Sequence, residues 1–351
     1  MPQELNRITD TKANSQLLGT LPDGCRMCIK GKKSVLFLTG VCDKDCFYCP
    51  LSEQRKGTKK MWINEKEVQK DTDIIDEIKK CSSAGVGITG GEPLIDIDTF
   101  CRYVTLLKDE FGAHFHIHAY TTKIDLTDDE IKKLNLSGLD ALRFHIFDID
   151  RLQKIKDRAE FKIGIEIPLI PGKEKMLKRL IKDAEGIIDY MNLNELEYSD
   201  TNCKRMEKHG FELKEYEDYA VKDSVELGQA LLKYAAENTD DMSIHLCTAS
   251  TKYDYQYWNR MKHRAENIRL PWETVTKQGL IRKGVIIGYL GTMSLKPNTY
   301  TKKDNRIETT VKNAKRAATK GLDAAIVLSM PTDDPFDFEL TPLDKKGNPK
   351  E

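Results

Sequence analysis

The chain has 351 residues, enough to bury a full-sized core as one large α/β domain with extensions, and its 56 Lys and Arg balance its 56 Asp and Glu. A net charge of zero gives no global pull toward nucleic acid or an anionic membrane, and leaves only local basic patches for such a role. The polar start MPQELNRITDTKANSQ lacks the apolar core of a signal peptide, and no apolar run approaches the roughly 20 residues that span a bilayer. A cytoplasmic protein without membrane contact is expected.

In that reducing compartment the nine cysteines do not read as a disulfide framework. Five cluster, as Cys25 and Cys28 and then Cys42, Cys46 and Cys49, while Cys81, Cys101, Cys203 and Cys247 are scattered. Cys81 and Cys101 lie in helical, mostly apolar surroundings, where buried free thiols are expected.

From residue 33, strand-like runs alternate with amphipathic helical runs. The strands are KSVLFLTG (33–40), GVGITG (85–90), HFHIHAY (114–120), DALRFHIF (140–147), KIGIEIPLI (162–170) and YMNLNELEYS (190–199). The helices between them begin at NEKEVQK, DTFCRYV, TDDEIKK, DIDRLQK and KEKMLKR, with Asn64, Asp98 and Thr127 as N-caps of the first three. Such alternation predicts parallel strands with crossover helices. Parallel strands covered on both faces should be apolar throughout, yet HFHIHAY and NLNELEY are polar at alternate positions. A partial (βα)6 barrel whose polar positions line an interior site fits better than an open doubly wound sheet. No GxGxxG turn follows the first strand.

After residue 200 the pattern changes. DYAVKDSVELGQALLKYAAENT and KYDYQYWNRMKHRAEN read as helices and SIHLCTAS as a strand. The apolar runs GVIIGYL and AAIVLS flank a Lys-rich stretch (302–320), and TPLDKKGNPKE reads as a frayed tail. Three parts are expected: an N-terminal segment (1–32), a core (33–200) and a C-terminal extension (201–351).

The stretch TGVCDKDCFYCP puts Cys42, Cys46 and Cys49 on the loop at the carboxyl end of the first strand, the functional face of a βα fold. A structural zinc site is normally closed by four ligands, and no fourth is adjacent. A cubane iron–sulfur cluster held by three thiolates keeps one iron open for a small molecule.

The CxxxCxφC pattern with Tyr48 at the aromatic position, together with TGGEP (Thr89, Gly90, Gly91, Glu92, Pro93) ending the second strand, resembles the radical S-adenosylmethionine (SAM) enzymes. The resemblance implies a [4Fe–4S] cluster whose open iron chelates the amino and carboxylate groups of SAM. One electron then cleaves the sulfonium C–S bond, and the 5′-deoxyadenosyl radical takes a hydrogen from the substrate. It implies an electron donor such as ferredoxin or flavodoxin, and a GGE stretch that accepts from the methionine amino group. By the same resemblance Thr121, Arg143 and His145 would contact ribose or carboxylate. Gly164, Glu166 and Pro168 would run beside the adenine. His116, His118 and His145 also fit as hydrogen-bonded core histidines. More narrowly, GCRMCIKGKKSVLFLTGVCDKDCFYCPLS, EIPLIPG, NLNELEYSDTN and the CxxxxKxxxQxxxR run from Cys247 resemble a mainly archaeal group related to pyruvate formate-lyase activating enzymes. Those enzymes are shorter and lack the Cys25/Cys28 pair.

Cys25-x2-Cys28 has a chelate spacing, and His245 and Cys247 alternate on a strand and face one side. Joined, they would make a second site for zinc or for an auxiliary iron–sulfur cluster; ordinary reduced thiols are the plain alternative. Lys252, Gln256, Arg260 and Arg264 recur every fourth position, a stripe that suits an anionic substrate or, equally, a solvated helix face. RNA is the first substrate class, since KYDYQYWNRMKHR carries side chains that stack on bases and neutralise phosphates. An activase making a radical on a partner protein and a small-molecule biosynthetic enzyme are the alternatives. An iron–sulfur electron carrier is the reading from a different class, and it has no use for GGEP.

Overall fold

The computed structural model describes residues 7–215, 219–288, 293–303 and 305–350. Residues 1–6 of the polar start, residue 218 of the helical run from 218, residues 289–290 of GVIIGYL, residue 304 of the Lys-rich stretch and residue 351 of the tail lie outside them. Two compact units emerge, one of residues 1–77 and 83–256, the other of 78–82 and 257–351.

The first unit begins with β1 (Ile8–Asp10), β2 (Gln16–Leu18) and α1 (Asp23–Ile29), then β3 (Lys33–Phe37), β4 (Trp62–Ile63) and β5 (Lys66–Glu67). It continues with α2 (Asp71–Lys80), β6 (Gly85–Thr89), α3 (Ile97–Phe111), β7 (His116–Thr121), α4 (Asp128–Ser137), β8 (Ala141–Phe144) and α5 (Leu152–Lys156). It ends with β9 (Lys162–Leu169), α6 (Glu174–Ala184), β10 (Tyr190–Glu195), α7 (Cys203–Lys208), α8 (Ser224–Asn238) and β11 (Ile244–Cys247). The sheet order is β1-β2-β11-β10-β9-β8-β7-β6-β3-β4-β5, with β3 and β6 through β11 parallel and in chain order. The fold is α/β, as expected, and the parallel run continues past residue 200 to β11. Its two ends are capped by antiparallel pairs, β2–β11 and β3–β4.

The register explains the polar alternation. One face carries Leu36, Ile88, Ala119, Leu142 and Ile163 in one row and Ile165, Met191 and Ile244 in the next, all fully buried. Helix α8 packs on that face so closely that a Cβ on Gly228 would lie 2.5 Å from Leu246. The opposite face carries Tyr120, Arg143, Gly164 and Tyr190 in one row and Glu166, Asn192 and His245 in the next. It is the interior polar surface that the alternation predicted.

Thr127 caps α4 as predicted, with a reciprocal bond from Glu130. For α3 the cap is Asp96, whose side chain accepts from Thr99 N, two residues before the expected Asp98. Asn64 is no cap: it sits at φ 54° in the β4–β5 turn, and its side-chain oxygen accepts from Val35 N at 2.9 Å. Cys81 is buried, whereas Cys101 is only half-buried because α3 turns that edge partly toward water.

The second unit contains α9 (Trp258–Ile268), β12 (Thr274–Val275), β13 (Ile281–Ile287), β14 (Tyr300–Lys303), β15 (Arg306–Thr309), α10 (Val311–Thr319), β16 (Ala324–Ser329) and β17 (Asp337–Pro342). Its antiparallel sheet runs β14-β15-β13-β16-β17, and α10 lies against β13 where a Cβ on Gly284 would meet Ala314 at 2.6 Å. The expected frayed tail is instead folded back: Thr341 and Pro342 end β17, buried Leu343 donates its N–H to Ala324 O, and a turn at Asp344–Gly347 brings Pro349 opposite Leu343. These backbone bonds outweigh the tail's polar composition.

Candidate functional site

Cys42, Cys46 and Cys49 are half-buried on the loop leaving β3. Three glycines let this loop meet its neighbours backbone to backbone. A Cβ on Gly40 would lie 1.7 Å from Arg55 O, one on Gly90 2.4 Å from Thr39 O, and one on Gly91 2.4 Å from Val41 O. The approach is used: Gly91 N bonds Thr39 O at 2.6 Å and Glu92 N bonds Val41 O at 2.8 Å. The GG pair therefore fixes where the thiol loop begins. Farther along, Arg205 grips Asp45 through two bonds of 2.7 and 3.2 Å, Asn202 Nδ2 donates to Tyr48 O at 3.0 Å, and Phe47 stacks on Phe211 at 5.8 Å. Sequence reasoning missed these anchors, which lie about 150 residues away with no local signal. Burial raises the Cys42 thiol pKa, and the nearby Glu92 carboxylate adds to that.

Glu92 is buried and cross-braces the ends of β6 and β7. Its carboxylate accepts from Leu94 N (3.0 Å), Thr121 Oγ1 (2.7 Å), Thr122 N (2.7 Å) and Thr122 Oγ1 (2.8 Å). Its side chain is thus committed to protein, and only backbone of the Gly90–Glu92 stretch is left for a ligand's amino group. Pro93 is buried and starts the following 3-10 turn, and Thr89 O accepts from Leu38 N. Thr122 was not singled out from sequence, although it adjoins Thr121.

Tyr48 and His145 bond through Oη and Nε2 at 2.8 Å, while His145 Nδ1 lies 3.0 Å from Glu166 O. A carbonyl only accepts, so Nδ1 carries the proton and Nε2 accepts from Tyr48. Burial lowers the His145 pKa, and burial raises that of Tyr48, with Cys46 and Cys49 adding. Both groups are therefore neutral beside the thiol loop.

Deeper inside, Arg143 Nη1 bonds Glu166 Oε2 at 2.5 Å, and Glu166 also accepts from Asn192 (2.8 Å) and Asn194 (3.0 Å). Burial would raise the Glu166 pKa, but Arg143 and the two amides outweigh it and hold the carboxyl at about 2. Arg143 Nε donates to Tyr190 Oη at 3.1 Å, and a Cβ on Gly164 would lie 2.5 Å from the Tyr190 ring, so Gly164 makes room for that ring. Pro168 follows on the same face, level with Asn194.

The Cys25/Cys28 helix α1 lies against the amino-terminal part of this polar face, packed on β3, β6 and β7. Both thiols are buried, as is Cys247. Asn192 Nδ2 lies 3.1 Å and Arg143 Nη2 3.5 Å from Cys25 Sγ. Burial pushes the Cys25 thiol up, but the Arg143 guanidinium and the neighbouring His245 ring outweigh it and bring the pKa down to about 7. Burial raises Cys28 against the pull of Lys33, and raises Cys247 against that of Lys252. His245 Nε2 meets Ser15 Oγ at 3.0 Å, while its buried Nδ1 has no hydrogen-bond partner. His118 is buried too, its Nε2 3.2 Å from Tyr120 Oη. Lys33, Tyr120 and Tyr190 escaped the sequence reading; each lies an even number of residues from a predicted position on its strand or on the same register row.

The cationic stripe is neither a free anion site nor a solvated face. Residues 251–257 form a π-helix, whose wider turn breaks the every-fourth register before α9 begins. Lys252 pairs with Glu197, and Gln256 Nε2 lies 3.7 Å from Cys247 Sγ. In the second unit Arg260 is buried with its guanidinium 5.6 Å over the Tyr257 ring, and Arg264 donates to Pro331 O.

Among the described residues no three His, Cys, Asp or Glu side chains stand close enough to hold a single metal ion. One zinc at about 2.3 Å from each sulfur would draw its donors to within about 4 Å of one another. Thiolates on a cluster each take a different iron and stand farther apart. An all-thiol set on one half-buried loop, with backbone and neutral Tyr48 and His145 around it, fits a cluster better than a lone ion.

Residues 36–166 match the Radical SAM superfamily. The chain is 37% identical over 280 residues, 76% of this chain and 74% of the other, to the "putative glycyl-radical enzyme activating enzyme" of Methanocaldococcus jannaschii. Among solved structures it is similar to a radical SAM methyltransferase from Kitasatospora setae (TM-score 0.39, 9% identity, 72% of this chain and 55% of that one). It is also similar to coproporphyrinogen III oxidase from Escherichia coli (TM-score 0.25, 11% identity, 88% and 69%). Overlaps this shallow carry nothing about substrate. The family match and the long relative agree with the thiol loop and the GGE brace, and the chain belongs to the radical SAM superfamily.

Proposed function

We propose that this enzyme removes a hydrogen atom from a partner protein and leaves a carbon-centred radical there. The observation that carries the reading is the 37% identity, over three quarters of the chain, to a protein named as a glycyl-radical enzyme activating enzyme. RNA loses its support, because Tyr257 and Trp258 of the aromatic-basic run pack with Met261, Leu280 and Met330, and Arg264 is committed to Pro331 O. Those side chains are engaged within the protein and not offered to bases or phosphates.

In this reading Cys42, Cys46 and Cys49 hold the [4Fe–4S] cluster and the Gly90–Glu92 backbone receives the methionine end of SAM. When bound, cluster and SAM supply a hydrogen-abstracting adenosyl fragment by one-electron cleavage of the sulfonium bond, the electron coming from a ferredoxin- or flavodoxin-like donor. The chain itself orients and insulates. Tyr48 and His145 stay neutral beside the loop, and Glu92 locks the strand ends that aim it. The Arg143–Glu166 pair gives the interior a fixed dipole, the Glu166 carboxyl being held at about 2.

The test is 5′-deoxyadenosine production by the reduced, anaerobically reconstituted full chain with SAM and extract from cells lacking it. Portions of extract are treated with protease or with ribonuclease. Stimulation lost only to protease, with a carbon-centred radical signal in the protein fraction, supports the reading. Loss only to ribonuclease, or resistance to both, refutes it.

A further inference from the structure

The interior thiols do something that the loop cluster does not need. Cys25, Cys28 and Cys247 come from two elements 219 residues apart in the chain, α1 and β11, and all three are buried on the polar side of the sheet. Two of them have donors within reach. Arg143 Nη2 lies 3.5 Å and Asn192 Nδ2 3.1 Å from Cys25 Sγ, and Gln256 Nε2 lies 3.7 Å from Cys247 Sγ. The Lys33 charge favours the Cys28 thiolate and the Lys252 charge that of Cys247, against burial. Ordinary buried thiols need no such company, since a thiol behaves as a small hydrophobe. Donors aimed at sulfur suit thiolates, which burial alone disfavours.

A second, independent feature is His245. It is 1% exposed, level with Asn192 beside Cys25, and its Nδ1 has no hydrogen-bond partner. An orphaned ring nitrogen in the interior is costly unless something engages it. Ser15 Oγ holds the other ring nitrogen at 3.0 Å, the kind of support that orients a metal-ligating histidine.

We propose that Cys25, Cys28 and Cys247 hold a second iron–sulfur cluster inside the barrel, with His245 Nδ1 as the fourth donor. A lone zinc ion is disfavoured because no three such donors among the described residues stand within reach of one ion. Assembly of a [4Fe–4S]2+ core from four ferric ions and four sulfides takes two electrons, which an added dithiol supplies as it closes to its disulfide, while each Fe–S(Cys) bond replaces an S–H bond whose proton leaves to solvent. The inference is independent of whether the substrate is a protein.

The experiment uses the full chain with Cys42, Cys46 and Cys49 all changed to Ala, reconstituted anaerobically with ferric iron, sulfide and excess dithiol. Bound iron, acid-labile sulfide and zinc are counted, and the dithionite-reduced sample is examined by electron paramagnetic resonance. About four iron and four sulfide per chain with a reduced-cluster signal are expected, falling to background when Cys25→Ala and Cys247→Ala are added. Background iron in the three-Ala chain, or one zinc in place of iron, overturns the proposal. Unmodified chain guards against a folding defect in the variants: about eight iron per chain supports the second cluster and about four refutes it. Loss of the inner cluster alone would leave the deoxyadenosine assay of the partner reading intact as a separate measurement.

Discussion

Glu166→Gln probes the interior most directly. The carboxylate is bonded by Arg143 at 2.5 Å, Asn192 at 2.8 Å and Asn194 at 3.0 Å, and its pKa falls from 4.5 to about 2. A folded-state pKa below the unfolded one stabilises the fold fully above pH 4.5, and that contribution disappears as pH falls through about 2. At 1.36 kcal/mol per pH unit the drop corresponds to about 3 kcal/mol. Breaking a buried pair by removing one partner costs about 3–5 kcal/mol, the same order, because Arg143 keeps its charge without its mate. For a unit of this size, about 3 kcal/mol lowers Tm by roughly 6–12 °C. The assay is thermal unfolding followed by circular dichroism, at pH 7 and stepwise down to pH 2. The gap between the two proteins should be full at pH 7 and close as pH falls from 4.5 toward 2. A gap below about 2 °C at pH 7, or one that stays constant with pH, refutes the reasoning. Adding Arg143→Met to Glu166→Gln should recover part of the loss, since both charges are then gone.

Cys46→Ala should abolish 5′-deoxyadenosine formation while the circular dichroism spectrum stays unchanged; normal yield would remove the loop from the chemistry. Gly91→Ala must push Val41 O away from a 2.4 Å contact, so it should displace the thiol loop and lower retained iron in anaerobic gel filtration, although residue 91 carries no ligand. Thr127→Ala removes the hydroxyl that accepts from Glu130 N, leaving the backbone N–H of residue 127 on the Glu130 carboxylate, and should cost about 1 kcal/mol by denaturant titration, with no change in iron content.

What was legible followed local physics. Thr127 was readable because a capping box is written within four residues, and the six strands because alternation and length are local. The polar alternation of HFHIHAY and NLNELEY marks the interior face for the same local reason. What failed depended on distant partners. Asn64 looked like a cap because its sequence context is one, but the β4–β5 turn took it. The tail looked frayed because Leu343 is held by Ala324 O from elsewhere in the chain and by a turn that brings Pro349 opposite it. The every-fourth stripe from Lys252 presumed an α-helix, and a π-helix moved its members apart. Arg205 and Asp45 meet across 160 residues, a separation at which spacing carries no signal.

The pairing of β2 with β11 sets a timetable for synthesis. Ser15 and His245 are 230 residues apart, so the ribosome releases the first roughly 10–50 seconds before the second at ordinary elongation rates. Strands β3 and β6, with the Gly90–Gly91 clamp, are complete long before that, and the outer thiol loop has all its anchors once Asn202, Arg205 and Phe211 are made, still ahead of β11. Helix α1 can pack on β3, β6 and β7 early, but the side facing β11 stays open. Cys25 and Cys28 must wait on the nascent chain until Cys247 arrives to close the sheet edge beside them. An interruption or truncation between residues 212 and 240 would therefore yield a species able to load its outer loop yet carrying two unprotected interior thiols, the form most exposed to oxygen and to aggregation through an unpaired strand.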